Sequence, residues 1–257
     1  MKRQGQVEMG QLPEINPDTP LMMMGSCFTT EIGQKLTEDG YNVTLNPFGI
    51  LFNPASIASS IRRLENLQPF AETDVIVSDN KFTSFFHHSS FSRSTAKEFL
   101  ENANKSLEKS SQAFDEAKVI IITFGTAWVF QHVKKGIIVS NCHKIPAKEF
   151  LRKRLETSEI VKDFSEIITR YPQKEWIFTV SPIRHLADGC HGNQISKSTL
   201  LLAIDELQSQ FSNVHYFPAY EIMMDELRDF SCYAEDTVHP SSSAVEIIYD
   251  RFKKNIK

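Results

Sequence analysis

Leu21-Met22-Met23-Met24-Gly25-Ser26-Cys27-Phe28-Thr29 is the stretch that decides the fold. A short apolar run ends at Gly25, and from Phe28 the apolar positions recur as Phe28, Ile32 and Leu36 until Gly40. The first pattern is a buried strand. The second is one face of a helix, and Gly40 supplies its stop. Gly25 permits the tight turn between them, and the first amides of the helix have no intrahelical acceptor. A serine at that junction either caps the helix or faces a ligand beyond the strand end.

Working outward, apolar runs with strand character recur at Val119–Ile122, Trp176–Val180 and Val214–Phe217, with a weaker one at Asn42–Leu45. Helical patterns separate most of them. Asn53-Pro54 reads as cap and first turn before Ile57, Ile61 and Leu64. Lys97–Ser110, Ala147–Arg170, Ser198–Phe211 and Ala244–Lys257 read as further helices, the last opening with Ser243 and Glu246 at capping-box spacing. Strands alternating with helices imply an α/β fold, in which each crossover helix buries its apolar stripe on a mostly parallel sheet. The expectation is a three-layer α/β/α sandwich with a flavodoxin-like sheet. Asp74–Phe86, turning at Asp79-Asn80, and Trp128–Val139, turning at Lys135-Gly136, break the alternation and read as inserted hairpins. No repeat or linker divides the chain, so residues 1–257 are expected to form one domain.

A chain of 257 residues that is 41% hydrophobic can bury a sizeable core. Its formal net charge is only −4, and basic and acidic residues are interspersed, which argues against a nucleic-acid or anionic-membrane surface. Met1-Lys2-Arg3 is followed by a polar stretch, and Leu21–Met24 is too short for the core of a signal peptide. With no apolar run long enough to span a bilayer, a soluble, cytoplasmic protein without membrane partners is expected. Four cysteines in a chain this long suggest free thiols. Cys142-His143 and Cys190-His191 lack the short ligand spacing of structural zinc sites, so neither metal nor cofactor is expected.

In open α/β sheets ligands bind beyond the carboxyl ends of the strands. Those ends carry Gly25-Ser26-Cys27, Gly125-Thr126, Ser181–His185 and the residues from Glu221 onward. Near the other end of the chain, Asp236-Thr237-Val238-His239-Pro240 sets a carboxylate and an imidazole three residues apart on a constrained turn. Such a pair supplies a general base for a serine, the carboxylate fixing the tautomer and the other ring nitrogen taking the proton. In isolation the same spacing also suits surface or capping chemistry.

Gly25-Ser26-Cys27-Phe28-Thr29 resembles the motif that names the GSCFA family, with Thr29 in place of the terminal alanine. The resemblance continues through Asn46–Pro54, Thr123–Trp128, Asn141-Cys142-His143-Lys144, Ser181–His185 and Asp236–Pro240, covering nearly the whole chain. That family is related to SGNH/GDSL-like hydrolases. The relation implies a serine nucleophile after the first strand and a late Asp-x-x-His: Ser26 as nucleophile, His239 as base and Asp236 as its orienting partner. It also implies oxyanion donors at the Ser26 and Gly49 backbone amides. The usual Gly-x-Asn is absent, because Gly125-Thr126-Ala127 has alanine at the Asn position.

Asn141, returning from the second hairpin, is the candidate replacement donor, with His143 and Lys144 beside it as substrate contacts; alternatively Asn141 satisfies its own turn. Arg184 and His185 either hold a substrate carboxylate or phosphate or are simply solvated. His88, in His87-His88-Ser89 among phenylalanines, either walls the pocket or packs in the core. Cys27 is read as packing, since its side chain departs from the helix in a different direction from Ser26. The expected activity is a cofactor-independent esterase forming an acyl-enzyme, on a small-molecule or carbohydrate O-acyl or O-acetyl ester. An O-acyltransferase on the same site, or a non-catalytic carbohydrate-binding module of the same fold, are the alternatives.

Overall fold

The apolar run and the helix after it fold as their periodicities require, giving β1 (Leu21–Gly25) and α1 (Cys27–Glu38) in the computed structural model, which describes residues 6–256. There follow β2 (Val43–Leu45), α2 (Pro54–Glu65), the hairpin β3 (Val75–Ser78) and β4 (Lys81–Ser84), α3 (Ala96–Glu116) and β5 (Val119–Phe124). Next come β6 (Trp128–His132), β7 (Ile138–Val139), β8 (Phe150–Arg154), α4 (Thr157–Arg170) and β9 (Glu175–Val180). The chain ends through α5 (Gly189–Gln210), β10 (Val214–Tyr216), the short α6 (Ala219–Glu221) and α7 (Ser242–Asn255).

The central sheet runs β10-β9-β5-β1-β2 with every pairing parallel. Counting its five strands in chain order gives 2-1-3-4-5, the flavodoxin-like arrangement. Both faces are dry, which is why Leu21–Met24 of β1 and Val119–Ile122 of β5 are apolar at every position. Met22, Met24, Ile120 and Ile122 face α2 to α5, whereas Leu21, Met23, Val119 and Ile121 face α1 and α7. The expected three-layer α/β/α architecture is therefore the observed one.

Asp79 and Asn80 have φ of 49° and 57°, the paired left-handed residues of a type I′ turn, so the first hairpin turns where the sequence places it. The second hairpin gains a strand, forming the antiparallel sheet β7-β6-β8 that follows the carboxyl end of β5. Here the expectation of one helix over Ala147–Arg170 is corrected: a single 3₁₀ turn and β8 precede α4. The Phe150–Arg154 segment pairs along β6, and this pairing overrides its helix-forming composition. The fifth helix begins at Gly189, well before Ser198, despite its glycines. Ser241, not Ser243, caps α7 by accepting from Ala244 N at 3.3 Å, and Glu246 pairs with Lys35 instead of closing a capping box. Lys257 and Met1-Lys2-Arg3 lie outside the described residues. No helix among those described is long and apolar enough to cross a membrane.

Candidate active site

The strand order reverses between β1 and β5, and this switch point is where a ligand crevice opens in such sheets. Ser26 stands there. It occupies the cap position of α1 with extended backbone, yet its side chain makes no capping bond, and its Oγ is buried without a hydrogen-bond partner among the described residues. The turn that carries it is clamped twice. Gly25 N donates to Asn46 Oδ1 at 2.9 Å, and Leu51 N donates to Gly25 O at 3.0 Å. Gly25 is required by close approach, since a Cβ there would sit 2.4 Å from the Thr123 carbonyl oxygen.

Asp236 and His239 form the expected pair. His239 Nδ1 lies 2.6 Å from Asp236 Oδ2, while Oδ1 accepts from the amides of Val238 at 2.9 Å and His239 at 3.0 Å. The His239 amide, then the imidazole, then the Val238 amide hold the Asp236 carboxyl down at about 2. Asp236 is thus an anion that accepts from the imidazole and fixes its tautomer. Arg184 steadies this turn: its amide donates to Val238 O at 3.1 Å and its Nη1 to Thr237 O at 3.0 Å.

Ser26 and His239 line one cavity of about 690 Å³, together with Asn53, Trp128, Asn141 and His185. Cys27 also borders it, but burial pushes its thiol up, so the sulfur is not a ready thiolate. His185 is mostly enclosed, with Nε2 unpartnered, and burial, with the Lys197 charge, lowers its imidazole to about 4. It is therefore neutral near neutral pH.

Several expected contacts are placed elsewhere. The Gly49 amide donates to Asn46 O at 2.8 Å and so is not available to an oxyanion. His143 is buried under the first hairpin, Nε2 lying 2.8 Å from Ser84 O, and Lys144 is a surface ion pair with Asp79. Neither lines the cavity. His88 bonds Ser90 and packs over Gly49, and His87 lies fully buried among Phe48, Phe70, Phe91 and Phe99. Asn141 does reach the cavity, although its Oδ1 accepts from His143 N at 2.8 Å in a local turn, leaving only its amide for a ligand. Arg184 does line the cavity, while its Nη1 holds its own turn as described.

Two further residues bear on the site, one that the sequence marks only as a helix cap and one that it does not mark. Asn53 caps α2, its Oδ1 accepting from Ser56 N at 2.8 Å, which fixes the Nδ2 edge as the one left for the cavity. Its neighbour Phe52 O accepts from Gly125 N and Thr126 N at 2.8 and 3.0 Å, tying this segment to the end of β5. Lys197, fully buried behind the site, donates at 2.7 Å to both Gly125 O and Ser181 O, the carboxyl ends of β5 and β9. Burial lowers it to about 7. An Asn-Pro cap beside a strand end is a weak signal that could have found Asn53; no pattern in the sequence marks Lys197.

The GSCFA family model matches residues 20–252. The chain belongs to the GSCFA family. No curated protein matches it. Among solved structures, this GSCFA protein is similar to a family 3 carbohydrate esterase from Clostridium thermocellum (11% identity, 91% of this chain and 92% of that one, TM-score 0.43). It is likewise similar to a candidate acylhydrolase from Bacteroides fragilis (10% identity, 95% and 90% covered, TM-score 0.44). A candidate platelet activating factor from Streptococcus pneumonia aligns at 11% identity over 93% and 85% of the chains, with a TM-score of 0.45. The flavodoxin-like fold of the GSCFA protein follows from its own sheet order. Among its described residues, no group of three or more His, Cys, Asp or Glu is placed to hold a metal ion.

Proposed function

We propose that this GSCFA protein is a serine ester hydrolase acting on O-acyl groups. The observation that carries the reading is a buried serine hydroxyl, free of capping duty, that shares one cavity with an aspartate-oriented imidazole. In the proposed reaction Ser26 Oγ attacks the ester carbonyl carbon while its proton passes to His239 Nε2. The tetrahedral oxyanion collapses as the alcohol departs with that proton, leaving an acyl-Ser26. Water, deprotonated by the same imidazole, then releases the acid. Asp236 stays ionised and stabilises the imidazolium.

The oxyanion needs preorganised donors, and Asn53 Nδ2 fits the requirement best. Its side chain is already locked by the Ser56 amide, so donation requires little reorganisation at the moment of reaction. Asn141 Nδ2 is the second donor. The Ser26 hydroxyl is not hydrogen-bonded to His239 in the unliganded protein, and closing that contact belongs to the substrate complex, where catalytic hydrogen bonds commonly tighten.

The same open contact is the observation that favours a second reading, a carbohydrate-binding module without turnover. Kinetics separate the two. Ser26→Ala is expected to abolish hydrolysis of p-nitrophenyl esters, while Cys27→Ser keeps most of it. A wild-type protein with no rate above the Ser26→Ala background would favour the binding module. Water as acceptor, rather than a sugar hydroxyl, and a cytoplasmic setting belong to the proposal as well.

A further inference from the structure

Resting on the ester-hydrolase reading, we propose that the substrate is a neutral ester carrying an extended apolar group, which fills the cavity beside Ser26. The volume of about 690 Å³ falls within the ~300–1,000 Å³ range of drug-sized ligands, far beyond the need of an acetyl group. Its walls are Phe52, Trp128, Phe130, Val139, Ile183 and Leu186, contributed by the α2 entry, the antiparallel β6-β7 sheet and the loop after β9. Phe130 and Leu186 also stay 39% exposed, so the apolar lining continues out to the rim.

The charged groups of the cavity are already committed. Arg152 pairs with Asp188 and lies 4.6 Å over the Trp128 ring; Arg184 bonds Thr237 O and sits 5.5 Å over the Tyr233 ring. His239 holds Asp236, and His185 is neutral near neutral pH. An anionic ligand at Arg152 would have to break its pair with Asp188 and leave that carboxylate uncompensated, and at Arg184 it would compete with Thr237 O and the Tyr233 ring for the guanidinium. On this proposal Arg184 and His185 do not hold a substrate carboxylate or phosphate, one of the two alternatives that their sequence position leaves open. An apolar group instead gains from every methylene taken out of water.

The test uses p-nitrophenyl acetate, butyrate, hexanoate and octanoate, with octyl acetate and a carboxylate-terminated octanoyl ester alongside. kcat/KM is expected to rise about fourfold for each methylene the cavity buries, and the terminal carboxylate is expected to erase the gain. A rise along the p-nitrophenyl series places the apolar group on the acyl side, and a rise with octyl acetate places it on the alcohol side. Acetate as best substrate in both series, or preference for the carboxylate-terminated ester, overturns the inference. A separate measurement reads the cavity without chemistry: binding of methyl octanoate and of octanoate to the Ser26→Ala variant, followed by tryptophan fluorescence. The neutral ester is expected to bind at least tenfold tighter. If that preference holds while no ester is hydrolysed, the hydrolase reading fails and the ligand class stands; equal binding, or tighter binding of the anion, overturns the ligand class.

Discussion

Lys197→Met removes the buried amine that joins the ends of β5 and β9 behind the site, and its effect is a pH dependence of stability that the structure fixes in sign. The side chain is fully buried, and it has two carbonyl acceptors, Gly125 O and Ser181 O. A neutral amine has two N–H donors and satisfies both; the third proton of an ammonium would face only the Tyr220 ring, 5.7 Å away. Burial accordingly lowers the group from 10.5 to about 7. Between these values the unfolded chain binds a proton that the folded protein does not, so stability rises with pH through this window. Below about pH 7 the lysine is charged in both states, and above 10.5 it is neutral in both. At 1.36 kcal/mol per pKa unit the full window corresponds to about 5 kcal/mol, of which about 3 kcal/mol falls between pH 7 and pH 9.5. Urea unfolding at both pH values, followed by tryptophan fluorescence, should show the stability of the wild type minus that of Lys197→Met growing by about that amount. A difference that does not change with pH would refute the argument, because it would mean that the buried lysine keeps its ordinary proton affinity.

Asn53→Asp retains a cap for α2 but exchanges the amide donor for a carboxylate, so kcat should fall by roughly 10² to 10³ with the melting temperature little changed; Asn141→Ala should cost less in kcat, and the reverse order would transfer the main donor role to Asn141. Gly49→Ala should lose about 1–3 kcal/mol of stability, since its φ is +79° and the new Cβ would stand 2.5 Å from His88 Cβ; urea unfolding checks this, and an unchanged midpoint contradicts it. Asp236→Asn should lower kcat on the order of 10⁴-fold by releasing the imidazole tautomer. In the wild type Asp236, held at about 2, should stay ionised throughout the range where the protein is assayed and add no acid limb of its own to the pH–rate profile; a limb in the ordinary carboxylate range that disappears in Asp236→Asn would contradict this.

The central sheet and the Asp236–His239 pair were legible because each is a local pattern. Leu21–Met24 and Val119–Ile122 are apolar on every residue since both sheet faces are covered, and the dyad lies within one four-residue turn. What was not legible depends on partners distant in sequence. Phe150–Arg154 has the composition of a helix and becomes a strand by pairing along β6, about 18 to 26 residues earlier. His143 and Lys144, beside a cavity-lining asparagine in sequence, turn away from the cavity because φ of 49° and 59° at these residues sends the chain under the first hairpin. The Gly49 amide is consumed by Asn46, whose own side chain serves the Ser26 turn. Asn53 carried a complete local explanation as a cap, which concealed its second edge. Lys197 lay just outside the helix read from Ser198, and only the tertiary fold encloses it.

The central claim, that Ser26 is a nucleophile activated by His239, is tested most directly by reaction with a fluorophosphonate and mapping of the adduct by peptide mass spectrometry. The account predicts a single phosphonyl adduct on Ser26 in the wild type, formed far more slowly in His239→Ala and absent in Ser26→Ala. A wild-type protein that stays unlabelled while folded, or an adduct on another residue that survives in Ser26→Ala, would contradict it.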